Sequence, residues 1–236
     1  VLACDVAFAA EPIAHPALTT RPIGDVALVW LASPGMAALP WWMELLKLES
    51  RSLEALRAVA TLQRDAPLDH VFLTVHTPLF PNGGHVGDAM WYDGDNRPRP
   101  SVAGQPVAEG IIERRDAILR LIQAHSKVVA VLTGDEHNYN RMRLTATVPI
   151  YPEGWDKPRV TLRRPFFQVN NGAAGAPYYA QEATPWSAAV RGFSTQNALC
   201  LFYVDGPAVR LETINPETLE VLDRVVMRRR LAPPAR

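Results

Sequence analysis

The sequence predicts an α/β fold, in which a parallel or mixed sheet is followed by an antiparallel carboxyl-terminal sheet. Two short apolar runs, 70–75 and 128–132, are typical of buried strands, and an amphipathic segment at 107–125 lies between them. A strand, a helix and a second strand in this order predict a right-handed crossover between parallel strands. After residue 141 the chain changes to short runs separated by turn residues, which favours antiparallel pairing.

The chain before residue 70 predicts one strand and one helical region. Prolines within residues 1–24 indicate an irregular segment, with one short extended piece at most. The apolar residues 25–32 predict the first strand. Residues 41–64 predict a helical region that ends before Pro67, and its second half carries apolar side chains at helical spacing.

Residues 77–106 predict a long loop, and such a loop inside a domain is usually functional or disordered. The next segment, 107–125, predicts a helix with one apolar and one charged side. We expect five further strands, at 143–150, 159–170, 197–205, 208–213 and 221–227, with hairpin turns at 205–207 and 215–217. All 236 residues then form one domain, with an α/β half (25–141), antiparallel strands (142–227) and a basic, proline-rich tail (228–236).

Composition excludes several classes of function. The 24 Lys and Arg residues balance 24 Asp and Glu residues, which argues against nucleic acid or an anionic membrane as the main partner. No apolar run approaches the length of a membrane span. Cys4 and Cys200 match no zinc or redox spacing, so they are either free thiols or a disulfide.

Polar side chains follow both of the predicted parallel strands. The run 128–132 continues into GDEHNYNR at 134–141, and the run 70–75 ends at His76. Ligands of open α/β sheets bind outside the carboxyl ends of the strands. Asp135 and His137 are two residues apart, so in an extended loop their side chains project to the same side. The alternative is an ordinary loop carboxylate and a surface histidine, but two strands that each deliver a ligand favour a site.

These motifs resemble those of a known family. The order VHTP at 75–78, a helix, GDEH at 134–137 and YNR at 139–141 is similar to the last two motifs of the calcineurin-like metallophosphoesterases, in particular the purple acid phosphatase branch. The family usually has histidine at the position of Asp135. The resemblance covers residues 25–227 and only the carboxyl-terminal half of the family fold. It implies part of a four-layer αββα sandwich, with helices outside two sheets.

The resemblance also implies a chemistry. In this family a dinuclear metal centre activates a hydroxide that hydrolyses phosphate mono- or diesters. His76 and Asp135 would bind one metal ion and His137 the other, with Fe, Mn or Zn as the metals. An aspartate in place of histidine would favour Mn or Fe at that position.

Further residues acquire expected roles from the same resemblance. His85 corresponds to a histidine on the substrate side of the site, which implies that it contacts the phosphate or helps to protonate the leaving group. A flexible surface histidine is the alternative. We expect Asn138, Tyr139 and Arg141 to contact the substrate, which would be a small-molecule phosphoester.

The Asp-x-His and Gly-Asn-His motifs that the family has upstream do not occur in residues 1–75, and the Gly-Asp pair at 24–25 stands there without the other two. We therefore expect the carboxyl-terminal portion of a longer enzyme, which by itself binds metal weakly and turns over poorly. The alternative is a degenerate, non-catalytic binding module on the same scaffold. An unrelated hydrolase with Ser126 or Ser194 as nucleophile is a third, although neither serine has the glycines of a nucleophile elbow. The resemblance favours an extracytoplasmic location and leaves the oligomeric state open.

Overall fold

The computed structural model describes residues 13–15, 18–23, 26–30, 64, 69–75, 78–84, 86, 111–151 and 153–229, the first three ranges by their backbone alone. In this part of the chain the strands are β1 (Ile13–His15), β2 (Leu18–Ile23), β3 (Val26–Trp30), β4 (His70–Thr74), β5 (Val128–Thr133), β6 (Tyr139–Leu144), β7 (Phe166–Asn171), β8 (Val190–Ser194), β9 (Leu199–Asp205), β10 (Ala208–Ile214) and β11 (Val221–Arg228). One α-helix, α1, spans Ile111–Ala124, and a 3-10 turn spans Ser187–Ala189.

The strands form two sheets. The first sheet has the order β1-β2-β3-β4-β5-β7-β6-β8, and the second has the order β11-β10-β9. Strands β3, β4, β5 and β7 are parallel neighbours, whereas β1 and β2 at one end and β6 and β8 at the other pair antiparallel. The second sheet is antiparallel throughout. This mixed sheet followed by an antiparallel sheet confirms the predicted fold class.

Alternating side chains of the parallel strands create a hydrophobic core on each face of the first sheet. Val71 and Leu73 of β4 pack towards α1, together with Leu119 and Ile122 of the helix. Phe72 between them points the other way and meets Phe202 of β9 edge to face, with 5.3 Å between ring centroids. The described residues thus form three layers, namely α1, the first sheet and the second sheet.

Two arginines that are remote in sequence bind carbonyl groups at the carboxyl end of α1 and in the turn that leads from it into β5. Arg164 donates to the carbonyl oxygens of Ile122, His125, Ser126 and Val128, and Arg228 donates to those of Asp69, Ser126 and Val128. The last carbonyl groups of a helix have no partner inside it and carry a partial negative charge, so guanidinium groups satisfy both needs. The last turn of α1 carries no basic residue of its own. These contacts therefore fix α1 against the amino edge of the sheets.

One carboxylate joins the two sheets. Asp223 of β11 accepts hydrogen bonds from Arg141 Nε at 2.6 Å and Nη2 at 3.0 Å, and from Tyr139 Oη at 2.7 Å. Burial opposes ionisation of Asp223, but the hydrogen bonds from Arg141 and Tyr139 outweigh it and hold the pKa of Asp223 below its ordinary value. A Cβ on Gly192 of β8 would lie 2.4 Å from Asp223 Oδ2, so only glycine leaves room for this contact. Strands β6, β8 and β11 therefore meet at Asp223.

Two predicted strand boundaries are wrong for physical reasons. The strand expected at 143–150 is β6, which begins earlier at Tyr139 and ends at Leu144. Arg141 can lie in a buried strand because Asp223 neutralises its charge. The strand expected at 159–170 is β7, which begins only at Phe166 because Pro165 has no N–H group for a ladder.

The pairing after residue 141 is mainly antiparallel, as expected. The exception is that β7 also runs parallel to β5, because β6 returns the chain to the amino edge before β7 begins. Residues 1–24 were expected to be irregular, yet β1 and β2 pair with each other and with β3. Strand β2 was not predicted because this segment contains prolines. The pairing of β2 with β1 ends at Thr20, so the missing N–H group of Pro22 costs no hydrogen bond to β1. Strand β8 was not predicted.

Other predictions fall only partly on the described residues. The helix expected at 107–125 is α1, at 111–124. The helical region at 41–64 lies outside the described residues except for residue 64, and so does most of the loop at 77–106. Among the helices that the structure describes, none combines the length and the apolar character needed to cross a bilayer.

We predict that Asp223→Asn lowers the free energy of unfolding by about 3 kcal/mol, because it leaves the buried Arg141 guanidinium without a counter-charge. Urea unfolding followed by circular dichroism measures this change. The matched control is Glu212→Gln in the neighbouring pair with Arg224, whose guanidinium is 57% exposed, and we expect a loss below about 1 kcal/mol. Equal losses in the two variants would contradict a special role for the Asp223 contact.

Candidate functional site

Three loops meet at the carboxyl edge of the parallel strands. Strands β4, β5 and β7 are neighbours and run in the same direction, so the described parts of the segments that follow them, namely 75, 78–84 and 86 after β4, 134–138 after β5 and 172–186 after β7, emerge side by side. Ligands of open α/β sheets bind at this edge. The structure thus brings GDEHN, which follows β5, to the segments that follow β4 and β7.

Glu136 is buried at the centre of these loops. Its carboxylate accepts the backbone N–H groups of Asn82, at 2.7 and 2.9 Å, and of Gly83, at 2.7 Å, and the side-chain amide of Asn140 at 3.3 Å. Burial raises the pKa of Glu136 to about 7, although the N–H groups of Gly83 and Asn82 favour the ionised form. Glu136 therefore ties the loop after β4 to the loop after β5.

Asparagine side chains connect the same loop to β7. Asn170 Nδ2 donates to the carbonyl oxygens of Glu136 at 2.9 Å and Asn138 at 2.8 Å, and Asn140 Nδ2 donates to Asn138 Oδ1 at 2.8 Å. Asn138, Asn140 and Asn170 are fully buried. Gly172 follows β7, and a Cβ there would lie 2.2 Å from the carbonyl oxygen of Glu136. Only a residue without a Cβ allows this close approach of backbone to backbone.

His137 projects from this framework with one nitrogen engaged. Its Nδ1 is 2.9 Å from the carbonyl oxygen of Pro177, and because a carbonyl only accepts, Nδ1 carries a proton, so in the neutral imidazole Nε2 is the nitrogen with the lone pair. The imidazole stacks on the ring of Tyr179, with 4.4 Å between centroids and 11° between planes. A carbonyl oxygen on the second nitrogen is the usual arrangement of a metal-binding histidine. The loop after β7 thus orients His137 from two sides.

The loop that carries Asp135 and His137 is not extended. Asp135 has a φ of 57°, and the N–H of Glu136 donates to the carbonyl of Gly134 at 2.6 Å, which makes a tight turn. A similar bond joins the N–H of Asn138 to the carbonyl of Glu136 at 2.7 Å. The two-residue spacing of Asp135 and His137 therefore does not by itself place their side chains on one side, because the expectation assumed extended backbone.

The residues expected to contact substrate make contacts within the protein. Tyr139 is fully buried and bonded to Asp223, and Arg141 is 6% exposed in the bidentate pair with the same carboxylate. Asn138 Oδ1 accepts the amide of Asn140. His76 and His85 lie outside the described residues. Among the residues that are described, no three His, Cys, Asp or Glu side chains form a group that could hold a metal ion.

Sequence reasoning missed Glu136, Asn82 and Asp223. Glu136 appeared in the sequence only as one residue of a motif, and a carboxylate in a loop normally faces solvent. No local feature of the sequence indicates that the loop after β4 supplies N–H groups to it. Asp223 lies in a segment whose alternation predicts an ordinary strand, and its partners are 82 and 84 residues away. The two serines considered as nucleophiles lie apart, because Ser126 follows α1 at the amino edge and Ser194 ends β8.

Comparison with known proteins gives matches at the level of structure alone. No family model and no curated protein matches the sequence. The chain is similar to the purple acid phosphatase PPD1 from yellow lupin (Lupinus luteus) seeds, with a TM-score of 0.54, 14% identity, and coverage of 89% of this chain and 32% of that one. The chain therefore shares its fold with part of that phosphatase. It spans about a third of the length of that phosphatase.

Two weaker structural similarities accompany this one. GAP50, the anchor in the inner membrane complex of Plasmodium, has a TM-score of 0.49 and 9% identity, with coverage of 89% of this chain and 53% of that one. PhoD has a TM-score of 0.39 and 8% identity, with coverage of 84% and 37% respectively. At these values neither adds to the fold assignment.

We predict that Glu136 makes stability fall with rising pH. Its folded pKa, about 7, lies above that of an exposed glutamate, so its contribution is fully present below about pH 4.5 and is lost as the pH rises through 7. Urea unfolding in EDTA should show Glu136→Gln gaining about 2–3 kcal/mol relative to wild type between pH 5 and 8. A constant difference between the two proteins over that interval would contradict this assignment.

Proposed function

We propose that the chain is part of a metal-dependent phosphoesterase that hydrolyses small phosphate mono- or diesters. The observation that carries the proposal is the position of His137, whose Nδ1 donates to the Pro177 carbonyl at the carboxyl edge of parallel strands, so that Nε2 is the nitrogen left to bind a metal ion. A structural histidine needs no such combination of a fixed tautomer and a position among three converging loops.

The chemical types of the candidate ligand atoms, imidazole nitrogen and carboxylate oxygen, are those that bind transition metals. Imidazole and carboxylate suit Zn, Fe and Mn, and we propose His137, Asp135 and His76 as ligands of two such ions. The bound metal would polarise phosphoryl oxygens and lower the pKa of a water molecule. The described residues alone do not complete the ligand set. Their contribution is to fix the tautomer of His137 and to hold the loop after β4 beside it.

The other expected roles divide according to the contacts of each residue. We propose that His85 contacts the phosphate or protonates the leaving group, as the motif spacing implies. The contacts of Asn138, Tyr139 and Arg141 with Asn140 and Asp223 favour a positioning role for these three, and direct substrate contact by them stays a prediction. An extracytoplasmic location also stays a proposal, based on the resemblance to purple acid phosphatases.

A non-catalytic binding module on the same scaffold is the second candidate. The observation in its favour is that the polar groups after β5 serve the protein itself, since Glu136, Asn138 and Asn140 bind one another and the neighbouring loops. The two candidates differ in their response to metal, because a binding module folded by these contacts needs none.

We predict that Mn²⁺ at a hundredfold excess over its Kd raises the Tm of the chain by about 5–10 °C, because a ligand that binds only the folded state stabilises it by about 2.7 kcal/mol. His137→Ala should abolish the increase. The matched control is His125→Ala, because His125 Nδ1 also lies near a backbone carbonyl, that of Leu121 at 2.8 Å, but at the amino edge of the sheet.

Differential scanning calorimetry in EDTA and in Mn²⁺ measures these shifts. Equal metal-induced shifts in wild type, His137→Ala and His125→Ala would contradict the metal site, and the absence of any shift would favour the binding module. If His137→Ala is unstable in EDTA, His137→Gln replaces it, and Mn²⁺ binding is then followed by electron paramagnetic resonance.

A further inference from the structure

Three consecutive backbone N–H groups after β4 point at carboxylate oxygens. Those of Asn82 and Gly83 donate to Glu136, and that of Gly84 donates to Glu182 Oε1 at 2.7 Å. Successive N–H groups of this kind form a concavity that binds anions. Two glutamates from different loops already occupy it, so the structure itself contains oxyanions bound to these donors.

The local sequence is suited to this geometry. Gly84 has a φ of 90°, a conformation that L side chains rarely adopt, and a Cβ on it would lie 2.0 Å from the ring of Tyr179. A Cβ on Gly83 would lie 2.0 Å from the carbonyl oxygen of Ala180. Both glycines are therefore required for the loop after β7 to close over the loop after β4.

The two carboxylates are held very differently. Glu136 is fully buried, accepts several hydrogen bonds and belongs to the core of the site. Glu182 is exposed, and Gly84 is exposed as well. The backbone of Glu182 is anchored independently, because its N–H donates to the carbonyl of Asn82 at 2.7 Å. The Glu182 side chain can therefore leave Gly84 without release of the loop that carries it.

We propose that the N–H of Gly84 is a binding site for a phosphate oxygen, and that the carboxylate of Glu182 occupies it until a phosphate group displaces it. The carboxylate and the phosphate oxygen are both anionic acceptors, so one replaces the other on the same donor. The phosphate group of the proposed phosphoesterase substrate is the ligand, and to that extent the inference rests on the proposed function. Gly84 directly precedes His85, the residue proposed to contact the same phosphate.

A self-occupied site has a measurable consequence. The apparent affinity for phosphate is reduced by the fraction of molecules in which Glu182 covers Gly84. One charge-assisted hydrogen bond at an exposed position shifts such an equilibrium by roughly tenfold. Removal of the carboxylate should therefore tighten phosphate binding, whereas the loss of a purely structural contact would leave binding unchanged or weaken it.

The experiment is a titration of the chain with inorganic phosphate in EDTA, followed by the ¹H–¹⁵N resonance of Gly84 and by calorimetry. We expect the Gly84 resonance to shift on addition of phosphate and Glu182→Ala to bind about tenfold more tightly than wild type. Glu182→Gln should show a smaller gain, since its amide oxygen still accepts from Gly84. The matched control is Glu220→Ala, which removes an exposed glutamate from the turn before β11 and should leave the affinity unchanged.

Three outcomes would overturn the inference. These are an unshifted Gly84 resonance, an affinity of Glu182→Ala equal to that of wild type, and equal gains in the Glu182 and Glu220 variants, which would show only a change of net charge. Because EDTA removes metal ions, these outcomes are independent of the metal-induced change in Tm that tests the proposed function. The far-ultraviolet spectrum of each variant verifies that it is folded.

Discussion

The hydrogen bonds between the Glu136 carboxylate and the backbone N–H groups of Asn82 and Gly83 are the constraint on which the rest of the site depends. A buried carboxylate without a partner lowers the stability of the fold by several kcal/mol, and a buried backbone N–H group without an acceptor also lowers it. Each satisfies the other. These hydrogen bonds fix the loop after β4 against the loop after β5.

The turn around Asp135 and the loop after β7 then present His137. A loop of asparagine and glycine serves this purpose because carboxamides donate to carbonyl groups that a strand no longer satisfies, and glycine allows backbone to touch backbone. On the far side, Asp223 holds Tyr139 and Arg141, so the start of β6 cannot shift relative to the second sheet. His137 is thus only two residues from a strand that is anchored in both sheets.

The chain has a fold similar to that of a purple acid phosphatase at only 14% identity, which is consistent with a fold set by apolar residues and a site set by separate polar contacts. Apolar alternation in β4, β5 and β7 can be kept by many sequences, because any combination of Val, Ile, Leu and Phe of suitable volume fills both faces. The polar contacts at the carboxyl edge need particular residues, such as Glu136 and Gly172. A common fold therefore does not by itself carry a functional site, which depends on individual residues such as His137 and Gly84 and on their immediate partners.

The sequence by itself determined the parallel strands, the helix between them and the edge at which polar residues collect, because hydrophobic periodicity and strand-end composition are local signals. It also indicated His137 as a ligand candidate. Only the tertiary structure decided the start of β6, the place of β7 and the roles of Glu136, Asp223 and Glu182. Each of these depends on a partner tens of residues away, as in the pairs Glu136–Asn82, Asp223–Arg141 and Glu182–Gly84. The burial of a charge and its neutralisation by a partner arise only in the folded chain, so no local sequence pattern predicts them.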